Sequence, residues 1–350
     1  ILPMLMSPIM YSIILSNVAI GTIITMTSFH WLLAWIGLEL NTLAIVPIIA
    51  KKHHPRATEA TTKYFLTQAA ASAMILFAST MNAWTTGTWD ISQLTYPPAC
   101  TLLTIALSMK LGLAPLHFWL PEVLQGTTMN TALIIATWQK LAPISLMIII
   151  HNSINPTIML ILAVISTLTG GWGGLNQTQT RKIMAFSSIA HLGWMAGILT
   201  LNLNIMLLNL SLYIIMTTPT FLMLKFTTSK TIKDLTTMWT TSPQMVAPLM
   251  ILLMSLGGLP PLTGFMPKWL ILQELTTHGL TPIATIMAIS ALLSLFFYLR
   301  LSYTATLTMH PTTTKDTNKW RFQPKHQTMP IMTLTALSLL LLPMTPMLYP

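Results

Sequence analysis

Apolar and polar positions alternate along this 350-residue chain on the scale of a membrane thickness. Apolar runs of about 20 residues, the length that crosses a bilayer as a helix, recur along the whole chain. Short polar connections separate them, and together they predict eleven transmembrane helices in an all-α polytopic membrane protein with a single membrane domain, 1–350. The predicted spans are 3–23, 29–50, 63–83, 99–119, 127–150, 154–174, 183–200, 202–224, 243–270, 280–304 and 328–348.

The composition supports a membrane location. The chain is 53% hydrophobic and 7% charged, whereas soluble domains are about 25% charged. Its single cysteine, Cys100, can form no internal disulfide and cannot supply the four thiolates that an iron–sulfur cluster usually takes. Redox cofactors are therefore expected elsewhere. The first apolar segment has no basic leader or cleavage motif, which predicts a retained span.

The basic residues predict the orientation. Fourteen of the 17 Lys and Arg lie in the connections after the second, sixth, eighth and tenth spans, and the other connections carry none. The positive-inside rule then places those connections and the N-terminus on the side of synthesis and the C-terminus opposite. The net charge of +10 is thereby explained without nucleic acid as a partner. The fourteen are Lys51, Lys52, Arg56, Lys63, Arg181, Lys182, Lys225, Lys230, Lys233, Arg300, Lys315, Lys319, Arg321 and Lys325.

The three remaining lysines, Lys110, Lys140 and Lys268, lie within apolar segments, as does the carboxylate of Glu39. A charge near the bilayer centre costs several kcal/mol, so such residues face the bundle interior or water and are functional candidates. The alternative is structural: snorkelling toward the interface, or a static ion pair between Glu39 and one lysine.

Two of these lysines accompany an internal repeat. The segment "GLAPLHFWLPE", residues 112–122, matches "GLPPLTGFMPK", residues 258–268, with Pro115 opposite Pro261 and Pro121 opposite Pro267. The copies lie five spans apart, and an odd number of spans inverts the second copy in the membrane. The chain is therefore predicted to contain an inverted five-helix repeat, 1–150 and 151–305, followed by a loop and C-terminal helix, 306–350.

Proline breaks the hydrogen-bond ladder of a helix, and broken backbone at membrane depth is tolerated beside protein or a water-filled cavity. Paired broken helices in two halves indicate an ion or substrate path near the midplane. Desolvation lowers the pKa of a buried amine and a nearby carboxylate raises it, so a chain of such groups can relay protons. His117 and His191, with the hydroxyls of Ser187 and Ser188, are candidate intermediate stations, although a histidine in a membrane can equally be a packed hydrogen-bonder.

Two motifs are set aside. "GGWGG", residues 170–174, lacks the Lys-Ser/Thr ending of a phosphate loop and predicts a close-packed helix end. "KKHHP", residues 51–55, has no acidic or thiol partner beside its histidines, so no metal site is predicted.

Several longer segments resemble the NADH dehydrogenase subunit 2 family, the antiporter-like membrane subunits of mitochondrial respiratory complex I. They are "HWLLAWIGLELN", "PRATEATTKYFLTQA", "MKLGLAPLHFWLPEVLQG", "WQKLAP", "GGWGGLNQTQTRKIMAFSSIAHLGWM" and "GGLPPLTGFMPKW". The resemblance extends along essentially the whole chain. It implies Glu39 and Lys110 as a glutamate–lysine pair, Lys140 as the central lysine and Lys268 on the second broken helix, with His117 and His191 as weaker assignments. Bacterial members have fourteen helices, and this chain is expected to lack the first three.

The same resemblance implies a proton-translocating subunit of NADH:ubiquinone oxidoreductase in the mitochondrial inner membrane. Its basic loops and N-terminus would face the matrix, and its C-terminus the intermembrane space. No cofactor is expected in this chain; NADH, flavin, iron–sulfur clusters and ubiquinone would belong to partner subunits. Expected partners are other membrane-arm and accessory subunits of complex I, together with lipids such as cardiolipin. A structural subunit without its own proton path, and an autonomous cation/proton antiporter, are the alternative functions.

Overall fold

The structure is a computed structural model that describes residues 7–51, 54–307 and 329–344. The described residues are predominantly helical. The α-helices are α1 Pro8–Thr27, α2 Trp31–Ala50, α3 Pro55–Thr86, α4 Pro97–Leu111, α5 Trp119–Gly126, α6 Met129–Ala136, α7 Leu141–Ile149, α8 Pro156–Gly174, α9 Thr180–Leu199, α10 Leu203–Phe226, α11 Ile232–Thr236, α12 Met238–Thr241, α13 Pro243–Gly257, α14 Phe265–Thr277, α15 Thr281–Ala305 and α16 Met329–Leu340. Short 3₁₀ turns occupy Trp138–Lys140, His151–Ser153 and Leu342–Met344.

The chain divides into two compact units, Ile1–Ala163 and Val164–Pro350. In the first, α3 is central: α2, α4 and α5 all pack on it, while α1 packs on α2 and α7 packs on α1 and α4. In the second, α13 packs on α15, and α10 contacts α9, α13, α14 and α16. The predicted repeat boundaries at 150 and 305 stay a prediction.

The helices agree with the predicted membrane class. In the described part of the chain, eight helical segments are long and apolar enough to cross a membrane. Three shorter apolar helices, α4, α13 and α16, lie in the predicted fourth, ninth and eleventh spans. The count of eleven spans stays a prediction, because the short helices do not establish it by length.

The fourth and ninth spans are each interrupted, as the paired prolines predicted, but the break begins earlier than the prolines. Each first half ends at a glycine in the left-handed region, Gly112 with φ 80° and Gly258 with φ 79°. Glycine adopts this conformation without the steric cost that a Cβ imposes, and it commonly ends helices. The backbone amide of Gly112 donates to the carbonyls of Ser108 and Met109. The backbone after Gly112 then leaves the helix. The span 99–119 therefore contains a break, as predicted, and the break begins at Gly112.

The fifth span is also interrupted, which the sequence analysis did not predict. Helix α6 ends at Ala136, a 3₁₀ turn covers Trp138–Lys140, and α7 continues the segment. Pro143 explains the break because it has no N–H to donate to the carbonyl of Gln139, four residues earlier, and its ring crowds that carbonyl. Lys140 consequently lies at an irregular turn inside the span.

Helix α3 begins at Pro55, eight residues before the predicted span. Proline suits the first position of a helix, and the imidazole of His54 caps it by accepting from the Arg56 amide. Arg56 and Lys63 therefore lie on α3, which extends the predicted span toward the N-terminus.

Candidate functional site

Lys110 lies in the last turn of α4, one residue before its final residue. The side chain is 6% exposed, and its ammonium nitrogen is buried without a hydrogen-bond partner. A cation near a helix C-terminus is favoured by the exposed carbonyls there, but that interaction is modest beside the cost of removing an ammonium from water. No hydrogen bond in the described structure therefore offsets the cost of burying the Lys110 amine.

Glu39 is half-buried on α2, and its Oε2 atom has no hydrogen-bond partner. Its carboxylate acts electrostatically on Lys110, yet the two groups form no ion pair within 4.0 Å in the described structure. Helix α3 packs against both α2, which carries Glu39, and α4, which carries Lys110. The two groups therefore influence each other across an interior to which α3 also contributes.

Tyr64 is a residue that α3 contributes to this interior, and it was not predicted as a site residue. The side chain is 1% exposed and its ring meets that of Trp119 edge to face, with centroids 5.8 Å apart. Its hydroxyl donates to Gln139 Oε1 at 3.4 Å. It is also close enough to Glu39 for the charge of that carboxylate to act on the hydroxyl. The available signal was spacing: Tyr64 and Gln68 lie four residues apart on the buried stripe of α3.

Lys140, at the 3₁₀ turn beside Gln139, is 3% exposed. The turn adjoins α7, which packs on α4, the helix that carries Lys110. Three of the predicted ionisable residues, Glu39, Lys110 and Lys140, therefore belong to the interior of the first unit.

His117 lies in the same unit, between α4 and α5. It is 7% exposed, its ring stacks on Phe118 with centroids 4.5 Å apart, and its Nδ1 atom has no hydrogen-bond partner. The structure thus places His117 at the broken segment, with one ring nitrogen unsatisfied by protein.

Lys268 belongs to the second unit, in the first turns of α14. Its ammonium donates to the carbonyl of Gly257, the last residue of α13, at 2.7 Å. Lys268 therefore reaches back across the break and stabilises the C-terminal end of the preceding helix half, where a cation is favoured. The side chain also covers Gly258, because a Cβ on that glycine would lie 2.9 Å from Lys268 Cδ and Nζ.

His191 lies on α9 in the same unit. It is 7% exposed, with its ring 5.4 Å from that of Tyr213 between centroids. The predicted hydroxyl stations, Ser187 and Ser188, each donate to a carbonyl of their own helix, at 2.7 and 2.8 Å. Their oxygens remain able to accept hydrogen bonds.

A charged cluster at the start of α3 was also missed. Lys63 Nζ lies 2.5 Å from Glu59 Oε1 and 2.5 Å from Glu122 Oε2. Glu122 is the residue that the repeat sets opposite Lys268. These residues line a cleft of about 210 Å³, which we call the Lys63 cleft; its lining consists of Arg56, Glu59, Ala60, Lys63, Glu122, Gln125 and Gly126.

The side chains available in the described structure favour proton transfer over metal binding. In the parts of the chain that the structure describes, no group of three or more His, Cys, Asp and Glu residues could hold a metal ion. The buried groups include amines, a carboxylate, imidazoles and phenols, which can exchange protons, and amides, which can hold water by donating and accepting hydrogen bonds.

Comparison with known proteins identifies the family. Residues 28–294 match the model described as NADH:quinone oxidoreductase/Mrp antiporter, and residues 295–349 match the NADH dehydrogenase subunit 2 C-terminus. NADH-ubiquinone oxidoreductase chain 2 of Salmo salar is 59% identical over 97% of this chain and 98% of its own length.

Solved structures agree on the fold. A chain of respiratory complex I from Thermus thermophilus has a TM-score of 0.82 and 26% identity, covering 95% of this chain and 79% of that chain. A chain of an archaeal membrane-bound sulfane sulfur reductase, a respiratory membrane complex, has a TM-score of 0.87 over 99% of this chain and 76% of that chain, and its 16% identity supports the fold alone. The chain belongs to the NADH dehydrogenase subunit 2 family, the antiporter-like membrane subunits of complex I.

Proposed function

We propose that this chain translocates protons within the membrane arm of NADH:ubiquinone oxidoreductase, along Glu39, Lys110 and Lys140 in the first unit and Lys268 in the second. His117 and His191 are intermediate stations. The chain does no redox chemistry; NADH oxidation, flavin, iron–sulfur clusters and ubiquinone chemistry belong to partner subunits.

The observation that carries this proposal is the state of Lys110 and Glu39. Both have a buried charged atom without a hydrogen-bond partner, and no ion pair within 4.0 Å joins them in the described structure. A static brace gains nothing from two separated buried charges, since each costs free energy unless it is paired. A relay requires this arrangement, because a carboxylate near an amine changes the affinity of the amine for its proton as the carboxylate charge changes.

The broken helices supply the second requirement of a relay, which is polar backbone at membrane depth. The interruptions at Gly112 and at Trp138–Lys140 leave carbonyls outside regular helix beside Lys110 and Lys140. In a membrane these groups need protein or water as partners. Water held there would connect ionisable side chains that do not touch.

The setting proposed for this function follows the basic residues and the family. The basic helix ends and the N-terminus face the mitochondrial matrix, and the C-terminus faces the intermembrane space. Neighbouring membrane-arm subunits, accessory subunits and lipids such as cardiolipin surround the chain.

Lys140→Met tests the proposal in the assembled enzyme. Methionine retains the apolar stem and volume and removes the ammonium, so assembly is expected to persist, while proton pumping and the NADH–ubiquinone turnover coupled to it fall roughly tenfold or more. Lys225→Met, at an exposed position in the last turn of α10, is the control that removes a basic residue without affecting pumping. Full pumping by an assembled Lys140→Met enzyme would remove Lys140 from the path and favour the structural role.

A further inference from the structure

The Lys63 cleft lies beside the first turns of α3, the helix whose buried stripe reaches the interior of the first unit. It contains two basic residues, Arg56 and Lys63, and two acidic residues, Glu59 and Glu122. Lys63 bridges both carboxylates, which are 60% and 49% exposed. The balanced charge does not favour an anion, whereas exposed carboxylates can exchange protons with water.

The cleft lies where α3 and α5 pack closely against each other. A Cβ on Gly126 would lie 2.6 Å from Ala60 Cβ and 2.6 Å from the Arg56 carbonyl, so the two helices approach as closely as glycine allows. Glu122 on α5 is thereby brought against Lys63 on α3. The cleft is thus a built feature of the α3–α5 contact.

A polar stripe leads from this cleft into the interior. Ala60 lines the cleft, and Tyr64 and Gln68 follow at successive intervals of four residues on the same face of α3. From Ala60 to Gln68 the helix rises about 12 Å. The Tyr64 hydroxyl donates to Gln139 Oε1 at 3.4 Å, and Gln139 is adjacent in sequence to Lys140.

Two side-chain amides along this stripe have hydrogen-bond donors without a partner in the described structure. Gln68 is 4% exposed, and its Nε2 atom is buried without a hydrogen-bond partner, as is Nε2 of Gln139. Buried polar atoms in folded proteins are almost always satisfied, and water does so where protein does not. Together with the orphan atoms of Glu39 and Lys110, these amides indicate a hydrated interior on the inner side of Tyr64.

We propose that the Lys63 cleft, Tyr64, Gln68 and Gln139 form the proton-uptake route that joins bulk water at the basic end of the first unit to Glu39, Lys110 and Lys140. The exposed carboxylates collect the proton. The Tyr64 hydroxyl accepts a proton on one side and donates its own on the other, which returns it to its starting state after it reorients. The amides hold water by hydrogen bonds, this water carries the proton onward, and no oxidant or reductant takes part. This route rests on the proposed function, since it supplies the relay described above.

Tyr64→Phe tests the route in the assembled complex. Phenylalanine retains the edge-to-face contact with Trp119 and removes only the hydroxyl, so assembly is expected to be normal while pumping falls roughly tenfold. The ratio of turnover in H₂O to turnover in D₂O is expected to rise as proton uptake limits the rate. Ser79→Ala is the matched control: it removes a buried α3 hydroxyl that donates within its own helix, to Leu76 at 2.8 Å, and is expected to change neither quantity.

Gln139→Met provides an independent test if Tyr64→Phe fails to assemble, because it removes the amide that accepts from Tyr64. Wild-type pumping and an unchanged isotope ratio in either assembled variant would overturn the uptake route. Lys140→Met separates this failure from that of the proposed function. If Lys140→Met pumps poorly and Tyr64→Phe pumps normally, the relay stands and the uptake route fails; if both pump normally, both proposals fail.

Discussion

The indole Nε1 of Trp119 donates a hydrogen bond to the carbonyl of Met109 at 3.1 Å. This bond ties the first turn of α5 to the last turn of α4, across the break that begins at Gly112. Met109 is the residue before Lys110, and the Trp119 ring also meets the Tyr64 ring edge to face. One side chain therefore fixes the end of the helix that carries the buried lysine and packs against the tyrosine of the proposed uptake route.

Trp119→Phe is expected to loosen this end of α4 without disrupting the bundle. The variant keeps an aromatic ring against Tyr64 but leaves the Met109 carbonyl without its donor, a loss of about 1–3 kcal/mol when the group stays buried. Hydrogen exchange should accelerate at the amides of α4 near Lys110, and pumping should fall. Trp84→Phe, at an exposed tryptophan on α3, is the control. Unchanged exchange in α4 would show that the bond does not hold the break.

Two variants of Lys268 distinguish a structural role, in which it caps α13, from a role in proton transfer. Lys268→Arg retains a donor for the Gly257 carbonyl, so a purely structural role predicts near-normal function. A proton station predicts impaired pumping, because guanidinium keeps its proton under all relevant conditions. Lys268→Ala should still assemble, at a cost of about 1.5–3 kcal/mol for the lost hydrogen bond from a charged donor, while pumping falls. Native gels and reconstituted vesicles measure the two quantities, and normal pumping by the arginine variant would contradict the station.

Gly258→Ala is expected to destabilise the second break for two separable reasons. A non-glycine residue in the left-handed region costs about 1–2 kcal/mol, and the added Cβ would also displace the Lys268 side chain. Gly279→Ala is the matched control, since Gly279 has φ 74° but no atom within 4 Å of an added Cβ. The thermal midpoint of the assembled complex should fall further for Gly258→Ala than for Gly279→Ala. Equal losses would show that the contact with Lys268 is unimportant.

Asp234 provides a pH-dependent helix cap outside the membrane spans. Burial raises the pKa of its carboxyl, but backbone hydrogen bonds from Thr231 and Lys230 outweigh this effect, so the pKa lies below its ordinary value. A lowered folded-state pKa stabilises α11 above the unfolded pKa of about 3.9, and the contribution disappears as pH falls through the folded value. Asp234→Ala should weaken protection of the α11 amides at neutral pH by about 0.5–2 kcal/mol. Hydrogen exchange measures this, and a difference that persisted undiminished at pH 2 would contradict the charge-based account.

The sequence predicted the helical membrane fold because twenty-residue apolar runs have few other structures available to them. It also indicated the paired breaks, because both segments have prolines at two matching positions. It placed the first break too late, since Gly112 ends α4 before Pro115 is reached. It missed the break at Lys140, where the cause is Pro143, three residues downstream. Tyr64 was indicated only by its spacing to Gln68 on α3, and the Lys63 cleft could not be predicted, because it depends on the α3–α5 contact between segments distant in sequence.

The inverted repeat predicts that superposing spans 1–5 on spans 6–10 requires a two-fold axis in the membrane plane. An experimental structure of the assembled complex measures this directly. Parallel orientation of the fourth and ninth spans would contradict it.

The number of protons translocated per NADH in an assembled Lys110→Met complex tests the central claim most directly. Methionine keeps the apolar volume of the side chain and removes a buried ammonium that has no hydrogen-bond partner, so the protein is expected to assemble fully. The account predicts a clear fall in protons per NADH, or in turnover where pumping and turnover stay tightly coupled, with wild-type complex content on native gels. Unchanged stoichiometry together with unchanged turnover would contradict it, and would show that Lys110 carries no protons.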